Sequence, residues 1–373
     1  MSFSIEPTIE IHNSVSSFTD KENISRIDLI FTQRFLYDNF FKDVEAQFVF
    51  YDDFCPGEPN DAAVDRMLDV VRRKSFARLI AIGGGSILDC AKLLALDSPD
   101  DVEALYRPDN QPGRAVELIL VPTTCGTGCE VTCVSVLDFP RLGSKIGKRF
   151  NAGFADRAVL IPELLSRIPY QIFAVSSADA LVHAMEIFLS PHGNEYTDLL
   201  CLEAIRRILE GYKRISQSGR DVVFQDIRSY LVASNLAGLA LANTLPGAVH
   251  AVAMHFGSMH HVPHGEATRL FLPSVMKGYL SKRPSGKIVA LATLVAETLD
   301  TSGDPAAAFE RLEELLNIVV PVKSLSEYGM AVEDALSYAD KVIETQQRLL
   351  INNFVDLTRE EIAGLYRGMF FPT

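Results

Sequence analysis

Hydrophobic and polar positions fall into two regimes along the chain. In the first, short apolar runs alternate with stretches of helical period. Asp28-Leu29-Ile30-Phe31 and Gln47-Phe48-Val49-Phe50-Tyr51 read as strands, with a helical stretch between them. Residues 60–75 have helical periodicity behind a Pro-Gly-Glu-Pro turn. Asn60 or Asp61 suits the N-cap there, because its side-chain oxygen accepts an orphan backbone N–H. Ala77-Arg78-Leu79-Ile80-Ala81-Ile82 reads as a buried strand, and Gly83-Gly84-Gly85-Ser86 then opens a helix through Leu96. Glu117-Leu118-Ile119-Leu120-Val121 is a further apolar strand. Strands alternating with helices predict a parallel sheet with right-handed crossovers.

After about Pro162 the strand signals stop. Residues 177–189, 195–217, 221–241 and most of 287–370 carry the helical period, punctuated by Gly and Pro. The expected fold is therefore α/β plus all-α. An N-terminal parallel-sheet α/β domain (1–162) is expected to precede an all-helical domain (163–373).

Composition narrows the partners. With 48% apolar and 22% charged residues among 373, the chain has ample core material and no disordered signature. Its net charge of -13 argues against a nucleic-acid backbone or an anionic membrane as partner. No apolar run approaches bilayer-spanning length, and the start MSFSIEPTIEIHNSV lacks the basic and apolar regions of a signal peptide. The six cysteines match no zinc spacing, so reduced, mostly buried thiols in a cytoplasmic protein are expected.

The chemistry concentrates in residues 244–269, TLPGAVHAVAMHFGSMHHVPHGEATR. Five of the eight histidines lie there: His250, His255, His260, His261 and His264. A single histidine in such a place is more often a hydrogen-bonded core residue. Several among Ala, Val, Met and Phe need partners or a cation. Pro263 and Gly265 flank His264 and are expected to fix a turn. On the helix upstream, Asp179 and His183 stand at i and i+4 on one face, a pair able to chelate one ion.

A nucleotide signal accompanies the histidines. Strand, Gly83-Gly84-Gly85-Ser86, then helix places phosphate at a helix N-terminus, where free N–H groups meet its charge. Leu88 stands where the strict dinucleotide fingerprint has its third glycine. A second loop, Val121-Pro122-Thr123-Thr124-Cys125-Gly126-Thr127-Gly128-Cys129-Glu130, leaves a strand rich in hydroxyls and glycines.

On IGGGSILDCAK, VPTTCGTGCE, DALVHAMEIFLS and GAVHAVAMHFGSMHHVPHGEATRLFLP, in this order over about residues 77–275, the sequence resembles the iron-containing (group III) alcohol dehydrogenase family. The YDDFCPGEPN and MHHVPHGEA stretches look most like members acting on 4-hydroxybutyrate and succinate semialdehyde. The resemblance implies a divalent metal, Fe²⁺ favoured over Zn²⁺, on Asp179, His183, His250 and His264. It also implies contacts from Gly84, Gly85, Ser86, Asp89, Thr123, Thr124, Thr127 and Leu137 to NAD, with NADP open, and an active site between the domains. A homodimer or larger homo-oligomer is the family's habit.

The departures carry information. Met254 stands where many members have a proton-transferring histidine, leaving His261, and next His255, as relay candidates. Gln33 stands where an acid often reads the adenosine ribose, and Arg34 beside it is able to accept a 2′-phosphate. Lys148, Arg149, His260 and His261 are candidate anchors for a substrate carboxylate. Rivals are a polyol or phosphonoacetaldehyde reductase of the same family, a dehydroquinate-synthase-like lyase, and a non-catalytic relative.

Overall fold

Two central strands, β4 (Arg78–Gly83) and β7 (Glu117–Pro122), pair in parallel register from Arg78↔Glu117 to Gly83↔Pro122. Around them the sheet runs β1 (Thr8–Ile11), β10 (Arg157–Leu160), β7, β4, β2 (Asp28–Thr32), β3 (Gln47–Phe50), all parallel. Leu29 to Phe31, Leu79 to Ile82 and Leu118 to Val121 are fully buried. Such continuous apolar runs mark strands covered on both faces. Two short ribbons attach: β5 (Leu96–Asp97) with β6 (Gly113–Arg114), and β8 (Val134–Phe139) with β9 (Ser144–Arg149). The helices of this part are α1 (Val15–Glu22), α2 (Arg34–Leu36), α3 (Asp61–Val71), α4 (Gly85–Leu94) and α5 (Val102–Leu105). Asn60 caps α3 by accepting from the Ala63 N–H.

This is a computed structural model describing residues 2–142 and 144–370. The chain divides into two compact units, one of residues 4–124 with 128–168, the other from Pro169 onward together with Cys125–Thr127 and the N-terminal residues up to Phe3. The register in the first unit places the ends of β4 and β7 side by side. The Thr123 N–H donates to the Gly83 carbonyl at 3.0 Å, so the glycine loop and the threonine loop share one end of the sheet. At the other end, Arg78 pairs with Asp28 and Glu22, and Arg157 with Glu22 and Glu117.

The second unit is helical: α6 (Tyr170–Leu189), α7 (Glu195–Ser218), α8 (Val223–Asn243), α9 (Ala248–His260), α10 (His264–Lys282), α11 (Lys287–Leu299), α12 (Pro305–Val319), α13 (Ala335–Thr345), α14 (Gln347–Leu350) and α15 (Arg359–Arg367). Helix α6 is apolar all round, as expected of a helix enclosed by others. By length and composition it would span a bilayer, a feature that reading apolar runs misses because Asp179, His183 and Glu186 interrupt it. In place, 83% of that apolar window is buried within the protein. Helices α7, α8 and α10 pack against it.

Candidate metal centre and nucleotide loops

Helices α6, α9 and α10 bring the histidine stretch to the upstream pair. Asp179, His250 and His264 each present one donor atom within 4.8 Å of the others. His183 joins through its Nε2, 2.9 Å from His250 Nε2, and its Nδ1 stands 3.7 Å from Asp179 Oδ2. All four implied ligands are therefore collected in one place. Asp179, His183 and His250 are buried, whereas the His264 side chain is 40% exposed, so the cluster opens to solvent on that side.

Local geometry sets His264. Pro263 occupies the N-cap of α10 and His264 is its first residue. Gly265 follows inside the helix, not in a turn, and its role differs from the expected one. A Cβ there would lie 2.2 Å from the Val175 carbonyl oxygen and 3.4 Å from Asp179 Cβ. Glycine is required because α10 crosses α6 with backbone nearly on backbone. Thr268, one turn on, donates its hydroxyl to Asp179 Oδ1 at 3.1 Å.

Charge balance in the cluster suits a cation. Burial alone would raise the Asp179 carboxyl, but His183, His264 and His250, with the Thr268 hydroxyl, outweigh it and hold the acid below its usual range. Burial pushes His183 down to about 4 and His250 down to about 3, so both rings are neutral near pH 7. Neutral imidazole is the form that ligates metal. His183 Nδ1 is buried and makes no hydrogen bond. One carboxylate and three imidazoles, with two Nε2 atoms converging at 2.9 Å, fit a divalent ion of the iron or zinc type.

Sequence reading passed over Glu186, although His183-Ala-Met-Glu186 carries it one turn beyond His183. Its carboxylate is 2% exposed and sits at the N-terminus of α9. It accepts the Val249 N–H at 2.6 Å and the His250 N–H at 3.2 Å, with a further backbone contact from Gly247. His250 Nδ1 lies 2.6 Å from Glu186 Oε2. Burial pushes the Glu186 acid up to about 7 against these backbone donors.

In the first unit, Gly84 is the N-cap of α4, with Gly85 and Ser86 opening the helix. Gly83 has no room for a side chain, since a Cβ would meet Ile87 Cδ1 at 2.4 Å. Thr123 and Thr124 are half-buried beside this loop. Asp89 accepts Lys92 Nζ on Oδ1 at 3.0 Å and the Val136 N–H on Oδ2 at 3.0 Å, tying α4 to β8. Leu137 is 1% exposed in the core of this unit, so its side chain supports β8 from within. Thr127 belongs with the helical unit, where Gly126 approaches Ser176 so closely that a Cβ would lie 2.7 Å from its carbonyl oxygen.

The remaining candidates occupy other surroundings. His255, five residues past His250, lies about 140° around the helix from it. Its ring packs edge-on against Tyr338, with centroids 4.8 Å apart. Met254, at i+4 from His250, is half-buried. His260 Nε2 lies 2.9 Å from the Tyr338 hydroxyl. His261 is exposed and forms the left-handed C-cap of α9 at φ 54°. Lys148 is occupied by the carbonyls of Leu105 and Asn110, both within 2.6 Å. That spends its ammonium on the end of α5, while the Arg149 side chain is exposed.

A glycine loop opening a helix beside a parallel sheet and a carboxylate–imidazole cluster are the marks of an enzyme that uses a nucleotide and a metal. The chain belongs to the iron-containing alcohol dehydrogenase family: the family's model matches residues 11–162, and the model for its C-terminal part matches residues 173–370. It is 39% identical to the 4-hydroxybutyrate dehydrogenase of Clostridium kluyveri over 368 residues, covering 98% of this chain and 99% of that one. It is 30% identical to the sulfoacetaldehyde reductase of Bilophila wadsworthia, covering 84% of this chain and 82% of that one. The fold matches a crystal structure of 1,3-propanediol oxidoreductase with a TM-score of 0.85 at 24% identity, covering 99% of this chain and all of that one. The sulfoacetaldehyde reductase of Bifidobacterium kashiwanohense, solved with NAD⁺, matches at a TM-score of 0.81 and 22% identity over 99% of this chain and 98% of that one.

Proposed function

We propose that this enzyme interconverts 4-hydroxybutyrate and succinate semialdehyde with NAD(H). The observation that carries the substrate is the 39% identity, over essentially both full lengths, to a 4-hydroxybutyrate dehydrogenase. Asp179, His183, His250 and His264 would hold the divalent ion. When bound, that ion acts as a Lewis acid on a carbonyl or alcohol oxygen, and the nicotinamide supplies or takes the hydride.

The chain's own residues do the rest. Neutral His183 and His250 keep their nitrogens open for ligation at working pH, and ionised Asp179 supplies the compensating charge. Ser86 and the N–H groups at the start of α4 receive the cofactor phosphates. Thr123, Thr124 and Thr127 offer hydroxyls to the cofactor. Exposed His261 is the relay candidate for the role Met254 cannot fill, and His255, packed on Tyr338 away from His250, suits it less. Arg149 and His261, both exposed, are the candidates for the substrate carboxylate.

The test is oxidation of NADH at 340 nm by the Fe²⁺- or Zn²⁺-loaded enzyme, with succinate semialdehyde against butyraldehyde. A kcat/KM for the semialdehyde on the order of 10²-fold higher is expected, the worth of a paired carboxylate. Equal turnover of butyraldehyde would discard the carboxylated substrate and keep the family activity.

Cofactor choice follows from residues near the end of β2. Arg34, 57% exposed, already has carboxylate partners. Its guanidinium pairs with Asp53 at 2.7 Å and stacks on Phe50 at 4.4 Å, while the Arg34 backbone N–H donates to Asp52 Oδ2 at 2.7 Å. Two carboxylates against one cation leave the locality negative. NADH should exceed NADPH in kcat/KM about tenfold or more. Asp53→Asn, which releases Arg34, should narrow that ratio. An unchanged ratio would remove this account of selectivity.

A further inference from the structure

We infer that Glu186 is a positioning residue that fixes the tautomer and orientation of His250, so that Nε2 of this ring is presented bare to the metal centre. The inference rests on the reading of Asp179, His183, His250 and His264 as ligands. Its grounds are geometric. An imidazole that binds through Nε2 must carry its proton on Nδ1, and the group facing Nδ1 decides whether it does. Here that group is a carboxylate oxygen at 2.6 Å.

The carboxylate is itself held from several directions. The Val249 and His250 N–H groups and the Gly247 backbone converge on it, so it cannot rotate without orphaning buried donors. Gly247 makes this possible, since a Cβ there would lie 3.3 Å from Glu186 Oε1 and 2.9 Å from Asn353 Oδ1. One side chain thus caps α9, sets the axial position of its third residue and points that residue's ring. With Nδ1–H committed to Glu186, the Nε2 of His250 meets the Nε2 of His183 at 2.9 Å. Only a proton or a metal between them satisfies that approach.

Glutamine at this position keeps the shape and one acceptor oxygen. It cannot satisfy the backbone N–H groups and the His250 Nδ1–H together. If its amide faces His250, the ring proton moves to Nε2 and blocks the metal. The test is Co²⁺ titration of metal-free wild type, Glu186→Gln and His264→Ala, followed by visible spectroscopy, with thermal unfolding and NADH fluorescence run on each. Glu186→Gln should bind Co²⁺ 10–100-fold more weakly and give an altered d–d spectrum, with NADH binding unchanged. Wild-type affinity and spectrum in Glu186→Gln, with binding lost in His264→Ala, would overturn the positioning role and leave the centre standing. Equal Co²⁺ binding by wild type and His264→Ala would overturn the centre, and the inference with it. Should Glu186→Gln not fold, ¹⁵N-histidine spectra of the wild type decide: a His250 proton on Nδ1 supports the inference, and one on Nε2 ends it.

Discussion

His264→Ala is expected to strip the metal and reduce turnover about 10³-fold or more while the fold persists. The size follows from the several kcal/mol that a Lewis acid contributes to such a step, at tenfold per 1.4 kcal/mol. Among the proposed ligands, His264 is the one whose loss is least confounded. Its side chain is 40% exposed at the first turn of α10, so truncation leaves no large void. Asp179, by contrast, also receives the Thr268 hydroxyl, and His250 is bound to Glu186. Metal content by mass spectrometry, circular dichroism and NADH binding separate the effects. Wild-type metal and turnover in this variant would remove His264 from the centre.

Gly265→Ala is the second large effect, and it comes from one methyl group. The new carbon would stand 2.2 Å from the Val175 carbonyl oxygen, which is backbone and cannot rotate away. Helix α10 must then lift from α6, and these two helices carry His264 and Asp179. A loss on the order of 3 kcal/mol is expected, the upper range for overpacking, with an apparent melting temperature lower by roughly 5–10 °C. Metal retention should fall in parallel. A variant with unchanged melting temperature and metal content would show that the crossing tolerates the methyl group.

What the sequence showed and what it hid follow from the range of the interactions. The central strands were legible because Leu29 to Phe31, Leu79 to Ile82 and Leu118 to Val121 are unbroken apolar runs. Strands β1 and β10, four residues each, were not seen. Thr-Ile-Glu-Ile lies at the sheet edge, partly exposed, and has too few residues to set a period. The β8–β9 ribbon was missed because the buried face of β8 carries Ser135 beside Leu137 and Phe139, while apolar Val136 lies on the exposed face, so apolar and polar residues do not alternate. Asp179 and His183 were legible as an i, i+4 pair on one helix. Glu186 was not, since its function depends on the N-terminus of α9 arriving beside it. The Pro263-His264-Gly265 reading expected a turn at Gly265 where close helix crossing is the demand.

The way the ligands are distributed has a consequence for how the enzyme matures in a cell. Two of the proposed ligands sit on α6, and the long helices α7 and α8 come between it and α9 and α10, which carry His250 and His264. A nascent chain therefore owns only a bidentate Asp179–His183 pair, which holds a divalent ion poorly. Metal acquisition becomes a late step, coupled to docking of α10 onto α6. The ion then acts by mass action on the finished unit, favouring it over any partly docked form. Chain made under iron starvation should accumulate folded and unloaded, ready to be activated when the metal returns.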